Sequence, residues 1–179
     1  SSSGLRTITT DTRLTARNRI SATRWSAPAS AIYVTGAVPA TASNLTFSEI
    51  HYHPAPPDAA ELAAGFTDPG DFEFVELLNA GPDKISLAGL HLDKTGNGQG
   101  IDYRFDEGTQ WSLAPGARLL LVRNAQAFTL RYGPGLPVAG EFTGQLGNGG
   151  DTLTLLDAAG SPLLNLAWTD TTPWPSAPD

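Results

Sequence analysis

Residues 45–54 read LTFSEIHYHP and residues 71–79 read DFEFVELLN. Both are short, rich in aromatic and branched residues, and carry carboxylates among large hydrophobes. Such runs form strands rather than helices, which need greater length and a 3.6-residue period. We read the second as a central strand of a β-sandwich and the first as its neighbour. Pro54 and the prolines at 56 and 57 end the first run, because proline cannot donate to a ladder.

The rest of the chain repeats this pattern. Its 179 residues include 19 glycines and 14 prolines, placed between short apolar runs. Strands are expected near 14–20, 30–34, 85–87, 90–92, 101–105, 111–113, 118–122, 152–156 and 163–168. Residues 118–122 (RLLLV) form the most continuous apolar run, as in a strand buried on both faces or lying in a sandwich core. Leu155 and Leu164 belong to a hairpin turning on residues 157–160 (DAAG). Two short helices are expected. Residues 58–65 (DAAELAAG) have Asp58 as cap and Gly65 as stop, and residues 125–132 (AQAFTLRY) are closed by Gly133-Pro134. About ten short strands without a long helix make an all-β, antiparallel β-sandwich with at most two short helices.

Residues 35–43 (TGAVPATAS) are small, polar and proline-containing, and read as a linker. The expected division is therefore residues 1–40 as closing strands of a preceding β-module plus linker, and residues 41–179 as the main sandwich. The opening Ser1-Ser2-Ser3-Gly4 reads as an internal cut or an engineered scar.

Composition excludes some functions. The formal net charge is −7 and no Lys/Arg cluster is present, so nucleic acid is not an expected partner. No window approaches the ~18 apolar residues of a membrane-spanning helix, so membrane insertion is not expected. There are no cysteines, hence no disulfide framework and no thiolate chemistry.

The order of segments carries a resemblance. LTFSEIHYHP, DFEFVELLNAG, ISLAGLHLD, YRF, LAPGARLLLVRN, AFTLRYG, LGNGGDTLTLLDAAG and TPWP, over residues 44–175, together resemble the lamin tail domain family, most closely its bacterial branch. That resemblance implies an immunoglobulin-like β-sandwich and a non-catalytic, extracellular interaction or structural module of a larger bacterial surface or secreted protein. The implied partner is an unknown protein or cell-surface component. Relatives of that branch continue past TPWP with another strand, whereas this sequence stops at Asp179, so an open sandwich edge is expected. Residues 12–34 (TRLTAR…TRWSAPASAIYV) resemble the closing strands of fibronectin-like and chitobiase-C-terminal-type modules.

Several motifs could carry chemistry. Glu49, Glu73 and Glu76 have the composition of an acid–base pair, but strand alternation also explains them as solvated or backbone-bonded carboxylates. Gly96-Asn-Gly-Gln-Gly resembles a phosphate loop, yet a strand rather than a helix follows it. Residues 98–102 partly fit a calcium-binding β-roll repeat, which works only in tandem. A hairpin tip is the expectation there. No serine sits in a G-x-S-x-G elbow. His51 and His53, spaced i, i+2 on one predicted strand, are placed on one face, where His91 or Asp71 would supply a third zinc ligand. No catalytic residue, cofactor or high-affinity metal site is expected. Of Trp25, Trp111, Trp168 and Trp174, the last lies between two prolines and is the candidate for an exposed aromatic contact. A carbohydrate-binding module assisting a catalytic domain elsewhere is the first alternative, and a metal-dependent enzyme the second.

Overall fold

The computed structural model describes residue 5 and residues 7–94 and 100–174. Most of the loop expected at residues 94–100, the end of the tail and the opening Ser1–Gly4 stretch lie outside the described residues.

Fourteen strands are present among the described residues: β1 Thr12–Ala16, β2 Ala29–Tyr33, β3 Val38–Pro39, β4 Leu45–His51, β5 Phe74–Asn79, β6 Ile85–Ser86, β7 His91–Leu92, β8 Gly100–Arg104, β9 Ser112–Leu113, β10 Arg118–Val122, β11 Val138–Glu141, β12 Thr143–Gln145, β13 Gly150–Leu156 and β14 Pro162–Thr169. Two helices, α1 Ala59–Ala63 and α2 Ala125–Tyr132, and a 3-10 turn, Pro69–Phe72, complete the set. The last corrects the strand expected from Phe72. Asp68 accepts from the Gly70 N–H, and Pro69 fixes a helical φ, so the ladder begins only at Phe74.

A four-stranded sheet, ordered β11-β10-β5-β4, faces a five-stranded sheet, ordered β12-β8-β7-β13-β14. Val75, Leu77, Leu119 and Leu121 from the first share one core with Leu92, Ile101, Leu153, Leu155 and Trp168 from the second. Alternation sends Phe74, Leu120 and Val122 to the opposite face, where they meet Phe128 of α2. RLLLV is thus both things its sequence allowed, a core strand and a strand covered on its outer side. Pairing is mainly antiparallel, but β10–β11 and β3–β6 are parallel. The β10–β11 pair is parallel because α2 makes the crossover between them.

The helices follow their caps. Asp58 accepts from the Ala60 and Glu61 N–H groups while Glu61 accepts from the Asp58 N–H, a capping box. Asn124 caps α2 and Gly133, at φ 87°, ends it in a conformation that a side chain would strain.

β1 and β2 form a separate two-stranded ribbon. An isolated pair of strands is marginal in water, and this one is anchored at its base. The Asp11 carboxylate accepts from Ser112 Oγ at 2.6 Å, the Thr35 N–H at 2.9 Å and Lys84 Nζ at 2.9 Å. Arg13 lies over the Trp111 ring. The stretch expected as a linker carries β3, which pairs with β6 of the main body. Burial alone would raise the Asp11 pKa, but the Ser112 hydroxyl, the Thr35 N–H and Lys84 outweigh it and lower it to about 2. The stabilisation is therefore present above the ordinary carboxylate value and lost as pH falls toward 2. Asp11→Ala is expected to cost about 1–3 kcal/mol at neutral pH and to open residues 12–34 to protease first. Unchanged stability and unchanged cleavage there would contradict this anchoring role.

Candidate functional site

The three glutamates singled out by the sequence do not converge. Glu49 is exposed at the β4 edge and sits opposite Glu76 in the β4–β5 register. Glu76 is held by Arg118 Nε at 2.9 Å and Ser48 Oγ at 2.7 Å. Glu73 is 3% exposed and its Oε2 accepts from the Leu146 N–H at 2.9 Å. It therefore bridges the start of β5 to the segment between β12 and β13.

Glu73 is the most perturbed acid. Burial pushes its pKa up to about 8; the Leu146 N–H and Arg123 act against this, while Asp68 and Asp71 add to it. Arg123 Nη1 is 3.9 Å from Glu73 Oε1, too far for a hydrogen bond, while its Nη2 binds Asp68 at 2.9 Å. The guanidinium lies against Gly70, where any side chain would displace it. Above this group opens a cleft of about 570 Å³ lined by Asp71, Arg123, Gln145, Asp151 and glycine backbone. With its pKa raised to about 8, Glu73 favours the protonated form near neutral pH, and its bond to the Leu146 N–H ties the start of β5 to the segment before β13.

The outer face of the four-stranded sheet holds a second polar cluster. Arg131 of α2 donates to Glu61 of α1 through two bonds, Nε–Oε1 at 2.8 Å and Nη2–Oε2 at 2.7 Å. Its guanidinium carbon lies 3.4 Å above the centre of the Phe72 ring, and Nη1 donates to the Ala55 carbonyl at 3.2 Å. Four segments are tied by one side chain. Nothing in the sequence signalled this pair, whose members are 70 residues apart.

The histidines separate. His51 is buried, stacks on Phe74 with ring centres 5.0 Å apart, and meets the Tyr132 hydroxyl through Nε2 at 3.1 Å. β4 ends at His51, so strand alternation does not extend to His53, contrary to the shared-face expectation. Pro54, just beyond, blocks further pairing. The Nδ1 of His53 is buried and has no hydrogen-bond partner among the described residues. His91 lies on β7 of the other sheet, with Nδ1 3.1 Å from the Gly89 carbonyl and Nε2 3.6 Å from Asp93. Asp71 lines the cleft beside Arg123. Among the described residues, no three histidine, aspartate or glutamate side chains gather as a metal-holding group.

The tryptophans also differ from expectation. Trp174 is half-buried, edge-on to Tyr52 with ring centres 6.5 Å apart. The buried Tyr52 offers the Trp174 ring an apolar seat. Trp168 is buried, Trp111 half-buried, and Trp25 the exposed one at 51%.

Trp174 instead helps build an apolar seam between the two sheets. The seam encloses about 240 Å³ and is lined by Phe47, Ser48, Glu49 and Ile50 of β4, Leu166 of β14, Tyr52 and Trp174. Both bordering strands are last in their sheets. Five strands face four, so Leu164 and Leu166 at the β14 end are only half covered. The alternation of these strands was legible in sequence, but the seam was not, since it depends on which strands end up last in each sheet.

Comparison with known proteins adds one finding. Residues 38–170 match the model of the family described as Lamin Tail Domain. No curated protein and no solved structure matches the chain. The family match covers most of the chain, which therefore belongs to the lamin tail domain family, an immunoglobulin-like β-sandwich family.

Proposed function

We propose that this lamin tail domain is a non-catalytic interaction and structural module, carried by a larger bacterial protein at the cell surface or outside the cell. The family is one of immunoglobulin-like interaction modules, which supports the general reading. The extracellular setting rests on the resemblance of residues 44–175 to the bacterial branch of the family. The preceding ribbon, β1–β2, is the end of another β-module in this reading, joined to the sandwich through Asp11.

The observation that carries the proposal is the seam. Among the described residues no strand pairs with the outer edge of β4 or of β14, and the apolar cleft between them is a surface that another chain can cover. The acid and base groups support it from the other direction. Glu73, Glu76, Glu61, Arg131 and Arg118 are each bonded to another part of the fold. A row of exposed tryptophans would favour the carbohydrate reading, but only Trp25 of the four is exposed.

Generic ester, phosphate and glycoside substrates test this directly. The purified chain is expected to give turnover equal to the buffer blank. Turnover that co-purifies with the chain and disappears in Glu73→Gln or Glu76→Gln would overturn the non-catalytic reading.

A further inference from the structure

We propose that the turn joining β1 to β2, residues 17–28, seats on the surface of an anionic lipid bilayer, with Ile20 and Trp25 entering the headgroup layer and Arg17 and Arg24 meeting lipid phosphates. The turn lies on the bilayer and does not cross it. This goes beyond the interaction-module reading, which concerns the sandwich.

Charge is divided unevenly along the chain. Up to Ser48 it carries five arginines, no lysine and one acid, Asp11; from Glu49 onward it carries six basic and seventeen acidic side chains. Asp11 is engaged by Ser112, Thr35 and Lys84 at the base of the ribbon. Arg17, Arg19 and Arg24 are scattered in sequence, and the hairpin gathers them in one turn. All three are exposed, and among the described residues none is paired with a carboxylate. Arginine rather than lysine suits phosphate, because the planar guanidinium offers two parallel donors to two oxygens.

The apex of the turn is closed on itself. Arg19 faces Trp25 across a β-bridge, with its guanidinium carbon 5.9 Å from the ring centre. Its Nε donates to the Ser21 carbonyl at 3.1 Å and its Nη2 to the Ala22 carbonyl at 2.9 Å. The Arg24 carbonyl accepts from the N–H groups of Ile20 and Ser21. These backbone groups are satisfied within the turn, which lowers the cost of taking them out of bulk water. Beside them Ile20 is 57% and Trp25 51% exposed, and neither belongs to a core cluster of the sandwich. A tryptophan and an isoleucine flanked by arginines match the headgroup layer, which takes up amphipathic rings and attracts cations. A soluble polyanion would use the arginines and leave Ile20 in water.

The ribbon also supplies reach. Among the described residues, no hydrogen bond or ion pair joins residues 14–33 to the sandwich; Arg13, bonded to the Gly108 carbonyl, is the outermost tie on β1. The strand from Asp11 to Ile20 extends about 30 Å at the usual rise. That is several times the ~8 Å over which charge is screened at physiological salt. The turn can therefore meet an anionic surface while the acidic sandwich stays beyond its repulsion. A turn between two strands lies at the surface whichever module owns the strands, so the same turn is presented where β1–β2 closes a preceding module.

Co-sedimentation of the full chain with vesicles tests this. Vesicles of phosphatidylglycerol and phosphatidylcholine in equal parts are expected to carry the chain down, and phosphatidylcholine alone is not. Arg17→Ala and Arg24→Ala are each expected to weaken binding about fivefold. The double variant Arg17→Glu with Arg24→Glu is expected to abolish it. Ile20→Ser with Trp25→Ser is expected to weaken binding without changing its salt dependence, which the arginines set. Amide NMR shifts of residues 12–16 and 29–33 verify that each variant keeps the ribbon paired. Equal binding to both kinds of vesicle, or unchanged binding in either double variant, would overturn the proposal. Saturation of the turn's shifts by glycerol phosphate would assign it to a free phosphate. Binding of polyglutamate or duplex DNA as tight as that of the vesicles would assign it to a soluble polyanion. Self-association lost in the Arg17→Glu, Arg24→Glu variant would assign it to the acidic surface of a second copy. Each of these three results overturns the proposal as well. None touches the non-catalytic reading, which falls only to turnover.

Discussion

Arg131→Ala is expected to be among the most destabilising single changes in this protein, by about 3–5 kcal/mol. For a chain of this size that corresponds to a fall in melting temperature on the order of 6–20 °C. The reason is what remains behind. Glu61 is 4% exposed and receives two short hydrogen bonds from Arg131. Without the guanidinium a buried carboxylate is left with only the Asp58 N–H. The Phe72 ring also loses the cation stacked over it, and the Ala55 carbonyl loses its donor. Arg131→Lys is expected to recover little, since an ammonium cannot span both Glu61 oxygens and stack on Phe72 at once. The double change Glu61→Met with Arg131→Met is expected to recover much of the loss, because two apolar chains leave no unpaired charge. Urea unfolding of the four proteins decides the matter. A loss under 1 kcal/mol for Arg131→Ala would mean that water enters and replaces the pair. The Glu61 pKa is lowered, first by the hydrogen bond from Arg131, with burial opposing and the Asp58 N–H assisting. Its contribution is thus present above the ordinary carboxylate value and lost as pH falls through the lowered one.

Glu73 acts in the opposite sense and governs the other side of the pH profile. Its folded-state pKa is raised from 4.5 to about 8, chiefly by burial. Below pH 4.5 both folded and unfolded chains hold the proton, and no penalty arises. Between pH 4.5 and 8 the unfolded chain ionises and the folded chain does not, so stability falls as pH rises. The loss is complete once pH passes the folded value, and amounts to on the order of 3–5 kcal/mol. With Asp11 and Glu61 eroding stability in acid, maximal stability is expected near about pH 5 rather than at neutrality. Glu73→Gln keeps an acceptor for the Leu146 N–H and cannot ionise. The variant is expected to be about 1 kcal/mol less stable than the native chain at pH 5, where its second amide donor lacks a partner. At pH 8 the order reverses. Denaturant midpoints measured from pH 4 to pH 9 would show this as a flattened alkaline limb. Parallel curves for the two proteins would mean that Glu73 ionises inside the fold, held by Arg123.

The structural elements were largely written in local sequence. The strands of β5, β10, β13 and β14 follow from apolar runs bounded by glycine and proline. α1 and α2 follow from Asp58 and Asn124 at their starts and from glycines at their ends. These signals are local: a cap or a strand period involves residues within a turn or two of each other, so a single chain can be read for them. The order of segments also carried the family, which the match over residues 38–170 establishes. The misread stretches were those where a local signal competed with another. Asp68-Pro69 turns the chain before Phe74 although Phe72 fits the strand alternation.

What the residues do was decided elsewhere. Glu61 and Arg131, Glu73 and Leu146, and Asp11 and Ser112 meet across 70, 73 and 101 residues. Tertiary packing makes each meeting, and periodicity contains no information about tertiary packing. It also determines that His51 turns to the helical layer while His91 lies on the opposite sheet, which disperses the histidines that looked like a pair. Trp174 looked free between its prolines and is seated on Tyr52 by the fold. The seam lies where β14 and β4 are the last strands of unequal sheets, five against four, so that Leu164 and Leu166 are apolar by sequence but only half covered in the fold. Local patterns determine which side chains face inward; the packing of layers determines which of those are covered, because coverage depends on what stands opposite, often a hundred residues away.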